Sequence, residues 1–349
     1  MKKLSIRDIG KELGVSITTV SFILNGKAKE KRISDALTKK VLDFVEKVNY
    51  SPNVMAQALR TGKSKIICLM VEDISNNNFF SQVARQIEEQ AHQNGYRIIF
   101  CSTDNSKEKT SELIKIFRDR LIDGYIITPP IGIEKQITSL LDDNIPVILA
   151  DRNLPEISCT SVMINNGESA MEATTHLLEQ GYNHVAFITI ESSQPQMHDR
   201  MSGYLKAIEN NPSYILKLDY HTKPAENTTH IINFLTENPS IDSIFFATDY
   251  LCTWGLRAIK ELGFHIPNRI GIVSFDDMDL FKLYNPSISA IEQPVEAISS
   301  NILQLMLDKL EGNQRADELH EVVLNAKLIS RESSKKNDLV GSGSLLTKS

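Results

Sequence analysis

The sequence predicts a small all-α head, a short linker helix and an α/β core of two doubly wound parallel-sheet subdomains. Three observations lead there. Within the first 48 residues, Ser5, Ser16 and Ser34 are each followed by apolar residues at helical spacing. From Lys65 onward, short continuous apolar runs alternate with amphipathic stretches, the pattern of a parallel sheet covered on both faces. After SVMI (Ser161–Ile164) the alternation restarts, and 349 residues suffice for two or three domains.

In the head, Ser5 caps a first helix whose stripe is Ile6, Ile9 and Leu13, with Asp8 in its first turn. Gly14 permits a tight turn, Val15 plugs the angle between two helices, and Ser16 caps the second helix. Val20, Ile23 and Leu24 fall on one face of that helix, so Ile17, Thr18, Ser21, Phe22 and Asn25 point outward. Ser34 caps a third helix, with Leu37, Val41, Phe44, Val45 and Val48 facing the core. Two helices joined by a glycine turn form a helix-turn-helix, and the outward face of the second suits the DNA major groove. Charge agrees with this. Residues 1–62 carry 12 Lys/Arg against 6 Asp/Glu, a net +6, whereas the chain as a whole is −6 and the remainder is therefore −12. The basic run at 27–32 (KAKEKR) supplies phosphate contacts at most and is otherwise a solvated loop.

Residues 49–60 (NYSPNVMAQALR) offer Ser51 as a cap, Pro52 at the first helical position and about two turns of helix formers, too short to be stable alone in water. Here the chain resembles the lactose-repressor (LacI/GalR) family, in which GVSxxTVSxxLN is followed by YxPNxxAxxL and then by a sugar-binding core. The resemblance implies that the short helix lies in the minor groove with Leu59 wedged between base pairs at the operator centre. The DNA-contacting set is then Ser16, Ile17, Thr18, Thr19, Ser21, Phe22, Asn25, Asn53, Ala56 and Leu59. Phe22 stands where the family usually has a polar base reader, and the loop at 25–34 is longer than the common one.

In the core, the apolar runs are IICLMV, YRIIFC, GYIITPP and PVILA, then HVAFITI, YILKLDY, SIFFA and IGIVSF, separated by helices at 79–94, 107–120, 167–180, 200–209, 225–237 and 250–262. SAIEQP and a helix at 295–310 follow. In the resembled family these return to the first subdomain, giving a periplasmic-binding-protein-like core with crossovers acting as a hinge. The expected division is 1–48 head, 49–62 hinge helix and linker, 63–161 with 291–320, 162–290 with 321–332, and a disordered tail at 333–349 without heptads.

Ligands of open α/β sheets bind beyond the carboxyl ends of strands, and those ends are polar here. Asp73 and the asparagines at 76–78 lead into Phe79 and Phe80, and Asp151 and Arg152 follow PVILA. Thr248 and Asp249 follow SIFFA, and Asp276 and Asp277 follow IGIVSF. Carboxylates accept from hydroxyls, Arg donates in a fixed fork, and aromatic faces stack on a sugar ring, so the set suits a polyol. By motif, the resemblance assigns effector binding to Phe79, Phe80, Asp151, Arg152, Arg200, Thr248 and Asp276. Thr248 replaces the usual Asn, and SNNNFF has an extra residue. Asp249 reads as a helix cap, and Asp277 as a solvated or capping acid.

Other chemistry is not indicated. No GxGxxG follows a strand, and Walker, GxSxG and HExxH motifs are missing, so no enzyme, cofactor or metal is implied. An exported sugar-binding protein would leave residues 1–60 without purpose. Cys68, Cys101, Cys159 and Cys252 lack metal-ligand spacing and read as reduced thiols. MKKLSIRD has no apolar signal region, which points to the cytoplasm. One head reads only a few base pairs, so a twofold dimer on a pseudo-palindrome is expected. The family's interface positions fall near Leu251, Trp254, Leu280, Phe281 and Tyr284.

Overall fold

The structure, a computed structural model, describes residues 4–48, 50, 63–75, 77–209, 211–220, 222–313 and 319–336. Most of the predicted hinge helix, with Asn53, Ala56 and Leu59, lies outside the described residues, as does Asn76. The chain forms two compact units, residues 1–65 and 66–349.

The first unit holds α1 (Ile6–Leu13), α2 (Ile17–Leu24) and α3 (Asp35–Lys47). Ser5 and Asp8 form a reciprocal capping box, and the Ser16 and Ser34 hydroxyls accept from the Thr19 and Leu37 amides. Gly14 ends α1 at φ 67°, and a Cβ on Gly10 would stand 2.7 Å from the Val15 carbonyl, so the turn packs directly on α1. Ile9, Val20, Ile23 and Val41 form the core. The loop at 25–34 is more than a solvated charge run: Ala28 joins that core, and the Lys27 and Ile33 amides donate to the Phe22 and Ala28 carbonyls.

The second unit contains two six-stranded sheets. The first runs β2-β1-β3-β4-β5-β11, with β1 (Ile66–Val71), β2 (Arg97–Ser102), β3 (Gly124–Ile127), β4 (Val147–Ala150), β5 (Ser161–Ile164) and β11 (Glu321–Leu324), all parallel. The second runs β7-β6-β8-β9-β10-β12, with β6 (Val185–Ile190), β7 (Tyr214–Leu218), β8 (Ser243–Phe246), β9 (Gly271–Phe275), β10 (Ser289–Glu292) and β12 (Lys327–Ile329). Only β12 is antiparallel to its neighbour among the described strands. In the first sheet the strand order reverses between β1 and β3, and in the second between β6 and β8. Each reversal is a switch point where two loops diverge and leave a crevice.

Helices α4 (Asn78–Gln93), α5 (Lys107–Arg118) and α6 (Glu134–Asp142) serve the first lobe. α7 (Asn166–Glu179), α8 (Pro195–Ala207), α9 (Pro224–Glu237), α10 (Asp249–Glu261) and the short α11 (Asp279–Leu283) serve the second. α12 (Val295–Glu311) follows β10 in sequence but returns to the first lobe, where Ser299 donates to the Val83 carbonyl of α4.

Three crossovers join the lobes, and they fall later than the expected boundaries. β5 belongs wholly to the first sheet, because Ser161 pairs in register with Glu321 of β11 and Leu149 of β4. β10 belongs to the second, paired with β9. The chain therefore crosses after Ile164, at Gln293 and between β11 and β12. The body also ends later than expected. Ser333 and Ser334 are fully buried in a 3-10 turn (Glu332–Ser334), where Ser333 donates to the Ile272 carbonyl and Ser334 bonds His176 and Ser289. Residues 337–349 lie outside the described residues. No described helix is long and apolar enough to cross a membrane.

Candidate functional site

The carboxyl ends of the two sheets face one another across the crossovers. Asp151 follows β4 and Asp276 follows the equivalent strand β9, and both take the left-handed backbone, at φ 70° and 68°. A residue with a Cβ rarely adopts that conformation, and it recurs where structure is held for function. It turns each carboxylate from the strand into the crevice.

There they line a cavity of about 40 Å³ together with Phe79, Phe80, Arg152, Arg200 and Thr248. Those are the seven residues the sequence assigned to an effector. Glu72, Asn105, Gln194, Gln196, Tyr250 and Gln293 line it as well. The sequence reading missed these, since amides in loops look like ordinary linker residues; a polar residue directly after β1, as Glu72 is, was the available signal.

Arg152 is buried, and each of its three nitrogens makes a bond. Its Nε donates to Asp151 (3.1 Å), its Nη1 to Asn105 (3.1 Å) and its Nη2 to Glu72 (2.9 Å). Burial works against its charge, but Asp151 and Glu72 outweigh that and raise its pKa. Asn105 also accepts from Gln194 of the second lobe at 2.9 Å, so one amide oxygen ties the lobes across the cavity.

Arg200 rises from α8 and stacks on the Phe275 ring, 3.5 Å from guanidinium carbon to centroid. Its Nε donates to Asn166 (2.9 Å) and its Nη1 to the Ala247 carbonyl (2.7 Å), with Asp276 3.8 Å from Nη1. Burial lowers its pKa, with Asp276 opposing. Asp276 accepts from Gln293 at 2.5 Å; burial raises its pKa, against Arg200 and that bond.

Several expectations change. Thr248, not Asp249, is the N-cap of α10, accepting from the Leu251 amide at 3.4 Å. Asp249 lies buried just inside, where burial and then Asp276 push its pKa up to about 7. Asp277 is not solvated: Arg331 grips it through two bonds of 2.8 and 2.6 Å, and its remaining acceptor role is to the Met278 amide. Phe80 is core, whereas Phe79 is half-buried and is the more accessible ring of the pair. Asp73 accepts from the Ser75 amide in a turn, and Asn77 caps α4. Leu251 and Phe281 are fully buried within the chain and have no surface to offer a second copy. Leu280 is exposed, Leu283 beside it is 83% exposed, and Trp254 and Tyr284 are half-buried. None of the four cysteines is disulfide-bonded.

A wide groove of about 820 Å³ borders the small cavity and shares Phe79, Asp276 and Gln293 with it. It runs between α4, α11 and the start of α12.

On α2, Ser16, Ile17, Thr18 and Asn25 are exposed, and Thr19, Ser21 and Phe22 are half-buried. Ser16 and Thr19 share a hydroxyl bond of 2.8 Å, and Asn25 closes the helix by donating to the Ser21 carbonyl at 2.7 Å. Phe22 is not among the side chains packed on the head core. The loop instead carries Lys31 to 5.5 Å above its ring.

Residues 5–53 match the family described as "Bacterial regulatory proteins, lacI family", and residues 174–334 match "Periplasmic binding protein-like domain". The chain is 30% identical over 333 residues to a ribose operon repressor of Halalkalibacterium halodurans, covering 95% of this chain and 97% of that one. A periplasmic binding protein/LacI transcriptional regulator from Alkaliphilus metalliredigens, solved with D-xylulofuranose, is 26% identical with a TM-score of 0.67, covering 77% of this chain and 98% of that one. The lac repressor dimer bound to operator is 19% identical with a TM-score of 0.82, covering 95% and 99%, and shares the fold.

Proposed function

The chain belongs to the LacI family of bacterial regulatory proteins, and from this we infer a transcriptional repressor that binds operator DNA through α2 and is controlled by a sugar or sugar derivative in the cleft of its core. The observation that carries the reading is the convergence of seven residues from the strand ends and following helices of both lobes on one cavity at the switch points of both sheets. A ligand held by Asp151 and by Asp276 touches both lobes and stabilises one lobe arrangement over another. The relatives named for ribose and solved with D-xylulofuranose support a sugar of pentose size. Regulation of genes for carbohydrate use follows from such a ligand.

In the head, Ile17, Thr18 and Phe22 present the reading surface, with Ser16, Thr19, Ser21 and Asn25 at its margins. Phe22 contacts a thymine methyl, since a phenyl ring cannot hydrogen-bond a base edge. Asn53, Ala56 and Leu59 complete the interface in the minor groove. Two copies pair through Leu280, Leu283, Trp254 and Tyr284, matching a pseudo-palindromic operator. The protein works in the cytoplasm, on the nucleoid when bound.

Selection from a randomised duplex pool tests the reading. The full chain enriches a pseudo-palindromic site, and affinity for it falls steeply as salt rises, because Lys27, Lys29, Lys31 and Arg32 displace phosphate counterions. No enrichment, or salt-independent binding, removes the operator reading. A rise in melting temperature with D-ribose or D-xylulose identifies the ligand class.

A further inference from the structure

We propose that the cleft selects an uncharged sugar and rejects its phosphorylated and acid forms; the proposal rests on the sugar-effector reading above and deepens it. A tight site for a phosphate or carboxylate usually rests on a guanidinium or ammonium with donors and charge to spare. This cavity has two cations, and neither has both.

All three nitrogens of Arg152 are taken, two by carboxylates and one by Asn105. Arg200 spends its single Nε hydrogen on Asn166 and points Nη1 at the Ala247 carbonyl and Asp276. A bidentate anion needs two free N–H groups on one edge of the fork. Nε has none left, and on the other edge Nη1 already gives one hydrogen to Ala247 and has Asp276 3.8 Å away, so an anion placed there would meet that carboxylate. The Nη2 hydrogens, without a protein acceptor among the described contacts, suit one or two hydroxyl oxygens.

Charge gives the same answer. Glu72, Asp151 and Asp276 line the cavity against Arg152 and Arg200, and Asp249 lies just behind. Even with Asp249 and Asp276 both protonated, Glu72 and Asp151 match the two guanidinium groups one for one. An incoming anion therefore loses its hydration without gaining a counter-charge. The bordering groove repeats the bias, with Asp279, Glu292 and Glu296 along its wall against Lys282. Carboxylates and amides lining the rest of the cavity accept from and donate to hydroxyls, which an unmodified sugar carries on every carbon but one.

The test is calorimetric titration of the full chain with D-ribose and D-xylulose, their 5-phosphates, and D-ribonate. At least one parent sugar is expected to bind, with its phosphate and the acid on the order of 100-fold weaker or undetectable. A phosphate or acid that binds as tightly as its parent overturns the proposal and leaves the sugar-derivative reading standing. If neither these nor a wider panel of neutral sugars, sugar phosphates and sugar acids binds, the sugar reading falls and the proposal with it. Glu72→Gln separates charge from shape: it strips one carboxylate from Arg152 while preserving size. The ratio of phosphate to sugar dissociation constants should narrow by about tenfold, the equivalent of roughly one favourable charge interaction. An unchanged ratio counts against the charge explanation.

Discussion

At the scale of single residues, Asp276 is the side chain on which ligand recognition turns. Its carboxylate is aimed by a left-handed backbone, faced by Arg200 and held by Gln293 at a crossover. Asp276→Asn keeps the shape and loses the charge-assisted bond to a ligand hydroxyl, worth about 1.5–3 kcal/mol. Sugar affinity measured by calorimetry should fall at least about tenfold, with a smaller loss of melting temperature than Arg200→Ala brings; unaltered affinity would remove Asp276 from the site. Arg200→Ala is a harsher change, because it strands Asp276 and the Ala247 carbonyl, and breaking a buried pair costs about 3–5 kcal/mol. A large drop in melting temperature is expected, so Asp276→Asn is the cleaner probe of signalling. Asp249 gives a pH signature. Its folded pKa of about 7 lies above the ordinary carboxylate value, so folding takes up a proton between the two. The stability it contributes is fully present below about pH 4 and is lost as pH rises through about 7. Asp249→Asn should flatten that decline in melting temperature between pH 5 and 8, and identical profiles would show that the carboxyl does not titrate there. The seven effector positions were legible through the family motifs that the sequence resembles, and Asp151, Arg152, Thr248 and Asp276 also because they directly follow apolar runs. Asn105, Gln194, Gln196 and Gln293 were not, since their role depends on lobes brought together by the fold.

At the scale of elements, α2 and its following loop act as one surface. Ala28 anchors the loop in the head core, and this fixes Lys31 over Phe22. Phe22 lies off that core, so Phe22→Ala should relax base preference at one operator position in a randomised-site selection while the head keeps its melting temperature. An unchanged preference would place the ring outside base readout. Ser5, Ser16 and Ser34 cap the three head helices as the sequence implies, and Ser16→Ala should cost the head about 1 kcal/mol, seen as earlier loss of its helical signal on heating. Strands β1 to β10 and the long helices follow from apolar runs and helical spacing. β11 and β12 escaped notice because they are half-exposed edge strands rather than buried apolar runs, and α11 is a single turn. The lobe boundaries slipped because only strand pairing, with β4 and β11, shows that β5 belongs to the first sheet.

At the scale of the whole chain, a head of net +6 is joined to an acidic remainder of −12, so attraction to DNA is confined to the reader while the core disfavours anions. The core's two lobes are linked by three crossovers and bridged by Asn105 and Gln194, a geometry whose opening and closing a ligand can bias. Coupling between cleft and operator is the central claim, and linkage makes it measurable from both sides. The most direct measurement is operator affinity by fluorescence anisotropy, without sugar and at saturation, paired with sugar affinity by calorimetry, with and without operator. The account predicts that saturating sugar changes the operator dissociation constant by about 5- to 150-fold, that operator changes the sugar constant by the same factor, and that Asp276→Asn loses the response at sugar concentrations saturating for the unsubstituted chain. A sugar that fills the cleft and leaves operator affinity unchanged would contradict it.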